Sequence, residues 1–302
     1  MGHKISNLSD SQGIFSKVAG GTIMNLKVDG LTINATAQMA GFVMESSGGD
    51  FYNIALTNVS VTSSQQRTAG LIGMVRVTSG NVGSKLTISQ VSIVNDESHK
   101  IVGSSRVGGL IGLVQAYDNT MVIDNCQVIS DIEAPGAGEA GGMVGTWEDR
   151  TNDILNISRC YYSGWLKTAV APGSSRLGGM LGYHKGGAGV LTIERCLSLA
   201  KLHIQGAERT VSVKNASPIM GNFSTSENTV VSVRYCIALM EEYNTDYDVQ
   251  VFTETNLKRH EEYITGEDYL NLDLTRWTVV ENDEGGRDLY KAPYVSLKFL
   301  GE

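Results

Sequence analysis

Proline is scarce in this chain, 4 residues in 302, and aromatic residues make up only 7%. The first scarcity excludes a proline-rich extended linker, because nearly every residue keeps the backbone N–H that a hydrogen-bonded ladder needs. Charged residues are also few, 19%, and balance to a net charge of -8 with no run of Lys or Arg. Binding a nucleic-acid backbone takes a concentrated cationic face, so nucleic acid is excluded as a partner. No apolar run approaches the roughly 20 residues that a membrane-spanning helix requires. The first residues also lack the apolar core of a signal peptide. The 4 cysteines lack paired C-x-x-C spacing and the 5 histidines are scattered. A zinc site has no ligand pattern here, and neither a metal nor a cofactor is expected.

What the chain has instead is glycine, 35 residues, amid abundant Ser, Thr, Asn and Val. That mixture suits many short strands joined by turns. A glycine-flanked apolar run recurs as Ala40-Gly41-Phe42-Val43, Ala69-Gly70-Leu71-Ile72-Gly73, Gly108-Gly109-Leu110-Ile111-Gly112, Gly141-Gly142-Met143-Val144-Gly145, Gly178-Gly179-Met180-Leu181-Gly182 and Ser217-Pro218-Ile219-Met220-Gly221. The intervals are unequal, as in stacked rungs with variable loops.

A second motif sits between these runs, as in Met121-Val122-Ile123, Asp124-Asn125, Cys126-Gln127-Val128. Apolar residues alternate within each half, which reads as a strand with one buried face. The alternation slips across Asp124-Asn125, so Ile123 and Cys126 both point inward only if the chain bends there. The second residue of the bend is Asn7, Asn25, Asn58, Gln90, Asn125, Arg159, Arg195 and Tyr235 in successive copies. Asn tolerates left-handed backbone angles better than most residues. A bend of one chemistry at one repeat phase predicts a parallel β-helix rather than a β-sandwich. Cys126, Cys160, Cys196 and Cys236 then share one inward column, continued upstream by Leu8, Leu26, Val59 and Val91. In-register parallel strands orient neighbouring Cβ atoms alike, which disfavours disulfides, so buried free thiols are expected.

These residues resemble the GLUG-repeat proteins, bacterial cell-surface and secreted proteins named for a Gly-Leu-x-Gly run. Gly2-His3-Lys4-Ile5-Ser6-Asn7-Leu8 is similar to the family's opening rung, and the six runs above match its naming motif, Ser217-Pro218 being a departure. Leu272-Asp273-Leu274-Thr275-Arg276-Trp277 with Pro293 resembles its terminal segment. The resemblance covers nearly the whole chain and implies an adhesin-like module on the cell surface or secreted. The chain begins partway through a rung, so an upstream domain of the same polypeptide is expected to cover that edge. Residues 241–302 turn acidic and aromatic, and are expected to cap the last rung.

Parallel β-helices also house polysaccharide lyases and hydrolases, which need paired carboxylates across a groove. Asp118, Asp149 and Asp153 lie in loops after the glycine runs, but neighbouring copies carry Thr, Ser and Gly, so ordinary loop acids are expected. Gly136-x-Gly138-x-x-Gly141 satisfies a dinucleotide fingerprint in letters only, lacking its strand–turn–helix setting. The binding candidates are aromatic. Trp147, Tyr183 and His184, with Phe223, follow successive glycine runs and would form a ring platform for glycan if they face outward; if they face inward they fill a wider core. Trp165, after Tyr161 and Tyr162, would extend that wall. Arg159 and Arg195 form an outward column suited to an acidic glycan, or to ion pairs with Asp124 and Glu194.

The expected architecture is therefore all-β: a right-handed parallel β-helix, a pectin-lyase-like solenoid of about seven rungs over residues 1–240, with a cap over 241–302. The expected function is non-catalytic binding of a glycan or host-surface ligand. The alternatives are a carbohydrate-active enzyme, favoured by carboxylates clustered in a groove, and a structural stalk, favoured by a featureless surface.

Overall fold

The computed structural model describes residues 3–36, 38–78, 84–150, 152–209, 215–223, 229–239, 249–252, 270–279 and 295–300. It is a parallel β-helix, as the repeat predicts. The rungs build three sheets. A seven-stranded sheet stacks Phe15–Val18, Val43–Ser46, Ile72–Arg76, Ile111–Ala116, Val144–Asp149, Leu181–Lys185 and Met220–Phe223, all in parallel. A five-stranded sheet stacks Gln66–Ala69, Ser105–Gly108, Glu139–Gly141, Arg176–Gly178 and Ala216–Ser217. The glycine runs form the corner between these two sheets, and their third residues, Leu71, Leu110, Met143, Met180 and Ile219, are fully buried. A larger, 16-stranded sheet carries the alternating segments, from His3–Asp10 to Cys236–Leu239. Among the described residues no helix is long and apolar enough to cross a membrane.

Every residue expected at a bend has left-handed backbone angles, but they stack in two columns rather than one. Asn25, Asn53, Gln90, Asn125, Arg159, Arg195 and Tyr235 lie in register with φ between 48° and 58°. Asn7, Gly30 and Asn58 form a second left-handed column further along the same strands. The sequence reading merged the two because both bends take Asn followed by an aliphatic residue, so local spacing cannot tell them apart. The cysteine column is corrected accordingly. It runs Leu26, Ile54, Val91, Cys126, Cys160, Cys196, Cys236, whereas Leu8 and Val59 belong with Leu31 at the other bend.

All 4 cysteines are free and buried. Each thiol donates to the carbonyl two residues back, at 3.4 Å for Cys126 to Asp124, 3.1 Å for Cys160 to Ser158 and 3.3 Å for Cys196 to Glu194. The bend turns that carbonyl inward, and a thiol fills the volume of a valine while supplying a weak donor. Burial pushes the Cys160 and Cys196 thiols far above their ordinary range, which keeps them protonated.

Most of the expected cap, residues 241–248, 253–269, 280–294 and 301–302, lies outside the described residues. Val249–Phe252 pairs with Cys236–Leu239, so the large sheet continues past residue 240. The pieces 270–279 and 295–300 run along the flank of the solenoid, over several rungs. Trp277, Leu270, Leu272 and Val295 pack with Ile129, Tyr161, Leu197 and Ile237 in a second apolar cluster outside the main core. From there the chain meets amides on successive rungs: the Leu297 N–H donates to the side chain of Gln127, two residues past the bend at Asn125, while at the bends themselves Gln90 Nε2 donates to Lys298 O at 2.8 Å, and Asn53 both donates to Leu300 O and accepts from Leu300 N, at 2.8 and 2.9 Å. An extended segment finds an amide partner at successive rungs because one side-chain position repeats about every 4.8 Å along the axis.

Candidate functional site

The sequence candidates separate by the two faces of a strand. Thr146 pairs with Tyr183, and Trp147 with His184. Trp147 and His184 are both fully buried, with ring centroids 4.6 Å apart, and Trp147 belongs to the main core cluster. Both are therefore corrected from surface candidates to core, since no surface ligand reaches them. Tyr183 is partly exposed, on the other face, with the Arg176 guanidinium 4.0 Å above its ring. The Phe223 side chain lies outside the described residues. Among the described residues no continuous ring platform forms, because strand alternation sends adjacent residues to opposite faces.

The arginine column exists as a column of bends, and its charges are met locally. Arg159 pairs with Asp124, and Arg195 Nε lies 3.4 Å from Glu194 with its guanidinium 4.9 Å from the Tyr235 ring. Arg234 takes the other side of Glu194 at 2.8 Å. Such partly exposed pairs contribute little stability, about 0–1 kcal/mol each.

Trp165 has a different setting. It sits on the strand Tyr161–Thr168, which turns at Gly164, where φ is +142°. Tyr162 is buried beneath, and its hydroxyl donates to Ser130 O and Trp165 O at 3.1 and 3.2 Å, fixing the bend from inside. Trp165 itself points outward and half-exposed. Lys201 and Lys167 lie 5.4 and 5.9 Å from its ring, and the His203 ring meets it edge-on at 5.9 Å. Lys201 pairs in register with Trp165, and His203 with Lys167, so two adjacent strands build the cluster.

This cluster walls a groove of about 1320 Å³ that follows the second column of bends. Asn58, Asn95, Ser130 and Gly164 line it along the axis, Asp29, Asp96 and Asp131 supply carboxylates, and Ser296 of the C-terminal segment closes one side. The polar floor is rigid. Asn95, nearly buried, bonds both the N–H and the C=O of Val59, and also Ser130 Oγ at 2.9 Å. Asp131 accepts from Trp165 N at 3.0 Å and from Lys167 at 2.8 Å, holding the indole in place.

The groove carboxylates with shifted titration shift downward. Bonds from Ser98 and His99 take Asp96 to about 2, and side-chain donors Thr57 and Asn58 lower Asp29. A glycosidic general acid needs the opposite, a carboxyl held protonated near neutral pH. Sequence reasoning found Trp165 but missed Asp96, Lys167 and Lys201. The register Trp165–Lys201 and Lys167–His203 was readable once rungs were aligned on their cysteines.

One acid does shift upward. Asp153 is fully buried and titrates near 6, from an ordinary 3.8, because burial disfavours its charge; N–H donors from Asn119 and Arg150 oppose this, and Asp149 and Asp118 add repulsion. His184 Nε2 lies 3.8 Å from Asp149, also fully out of solvent. None of these side chains lines the groove, so they are structural. Above pH 6 the folded state must carry a buried charge, whereas below 3.8 Asp153 is neutral whether folded or not. Stability contributed by this group is therefore full below 3.8 and lost as pH rises through 6, amounting to about 3 kcal/mol at most. Urea denaturation of Asp153→Asn and of the unsubstituted chain at pH 4 and pH 7 checks this. The variant is expected to gain relative stability at the higher pH; an equal difference at both would refute the assignment.

No protein-family profile matches the chain. Over 89 residues, 30% of its length, it is 29% identical to halomucin of Haloquadratum walsbyi, and it spans about 1% of that protein. Its fold is similar to the crystal structure of a Bacteroides ovatus protein described as a candidate immunoglobulin A1 protease, with a TM-score of 0.56 and 16% identity, covering 90% of this chain and 75% of that one. At that identity the likeness shows the fold alone.

Proposed function

We propose that this chain is a non-catalytic binding module of an adhesin-like surface or secreted protein, and that the groove beside Trp165 takes a glycan. The observation that carries the reading is the half-exposed indole between two ammonium groups, on a rigid floor of amides and hydroxyls. Sugar rings stack C–H faces on aromatic planes, while their hydroxyls pair with alternating donors and acceptors. Carboxylates held ionised, such as Asp96 and Asp29, accept hydrogen bonds from hydroxyls and have no proton to give a leaving group, which favours binding over hydrolysis. The glycine runs and their similarity to GLUG repeats support a surface setting.

A glycan array probed with the whole chain and with Trp165→Ala tests this. Removing the ring is expected to weaken binding about tenfold, or about 1.4 kcal/mol. Binding that survives the substitution unchanged would place the ligand elsewhere, and hydrolysis of a bound glycan would replace the module with an enzyme.

A further inference from the structure

A second polar surface lies at the corner between the five-stranded and seven-stranded sheets. Arg67, Arg106, Glu139 and Arg176 stack there in register. Arg67 and Arg106 have left-handed backbone, with φ of 66° and 55°. Their side chains swing over the neighbouring sheet, and Arg106 Nη2 reaches Glu148 at 3.0 Å. Met74, Leu113 and Thr146 are fully buried yet lie outside the main core cluster, as residues roofed by this layer should.

The acids of the layer are already shared among cations. Glu139 meets Arg106 and Arg176; Glu148 meets Arg106, Arg150 and Lys185; Glu45 meets Lys17 at 3.0 Å and Arg76 at 3.6 Å. Arg67 has no carboxylate within ion-pair distance among the described residues. Its one side-chain partner is Gln38 Oε1 at 3.4 Å, and its Nε is buried without any acceptor. Burial and the adjacent Arg106 and Arg76 disfavour its charge, and the more distant Glu148 and Glu45 offset this only in part. A partly exposed guanidinium beside like charges, with its buried Nε unpaired, is an arrangement an anion completes.

We propose that Arg67, flanked by Arg106 and Arg76, binds an oxyanion: the carboxylate or sulfate group of an acidic sugar. The planar fork of Arg pairs two oxygens at once, which a point-charge lysine does not. The sugar as source rests on the glycan reading above; the anion site does not, since it is built from a different corner of the solenoid.

Isothermal titration of the full chain with free sulfate, trigalacturonate and a sulfated chondroitin disaccharide, each against chloride at matched ionic strength, tests the site. Arg67→Asn keeps a residue that tolerates left-handed backbone and is expected to weaken binding about tenfold, as loss of a charge-assisted pair should. Arg67→Lys is expected to fall between. Arg234→Gln, at the far end of the large sheet, is expected to leave sulfate binding unchanged. Tighter binding of trigalacturonate supports a carboxylate, and tighter binding of the disaccharide a sulfate. Failure of all three probes, or an equal loss in Arg234→Gln, overturns the site. Sulfate binding without either sugar overturns the sugar as its source and leaves the Trp165 reading untouched.

Discussion

Replacing Gly142 by alanine is expected to destabilise the fold by about 3 kcal/mol, at the upper end of what overpacking a filled site costs. A Cβ at Gly142 would overlap Gly179 O of the next rung and the ring of Tyr162. The carbonyl cannot retreat, because it belongs to the stacked corner, and Tyr162 is fully buried and tied by its hydroxyl to Ser130 and Trp165. Any accommodation therefore moves the bend that carries Trp165, so groove binding should weaken together with stability. Gly173→Ala is the control, since nothing lies within 4 Å of a Cβ there. Urea denaturation reads both. A Gly142→Ala variant within about 0.5 kcal/mol of the unsubstituted chain would mean that the glycine runs are not close-approach positions.

Trp277→Ala should have the other large effect. The indole is fully buried against the flank and donates to Asn125 Oδ1 at 2.9 Å. Truncating it removes a large packed ring and leaves a buried amide oxygen unpaired, at about 3–5 kcal/mol. The loss falls on the docking of the C-terminal segment, because Trp277 packs in the second apolar cluster and not in the main core. Amide hydrogen exchange is expected to rise over residues 270–279 and 295–300 while the cysteine-column strands keep their protection. Trp277→Phe should show a smaller rise, restoring packing without the donor. Unchanged exchange over 295–300 would show that the segment is held by its amide contacts to Gln90 and Asn53 alone. Because Ser296 lines the groove, a released segment should also alter glycan affinity.

Much of this architecture is legible in the amino-acid sequence. Alternation in the segments around Ile88, Ile123, Ile157 and Ile193, with a slip at one polar pair, required inward columns and a bend, and the bends have the left-handed angles that Asn column implied. The four cysteines at one phase gave register in the later rungs, where they stack.

The facing of the residues after the glycine runs was not legible, and the reason is physical. Val144–Asp149 is buried along its whole length, because the Arg106–Glu139–Arg176 layer roofs its outer side. A strand covered on both faces loses the alternation that assigns Trp147 inward and Tyr183 outward. The two early columns of bends were likewise indistinguishable in sequence, since each uses the same short-range chemistry.

Local sequence thus determined the rung, its bends and its core columns, because those depend on backbone preference and on burial of one strand face, both written every few residues. Tertiary structure alone decided the groove at Trp165, the setting of Arg67 and the docking of residues 270–279 and 295–300. Each joins residues from different rungs or from opposite ends of the chain, Leu300 to Asn53 being one example. Contacts of that range leave no periodic trace in sequence; they follow only when the coil has set which side chains share an edge.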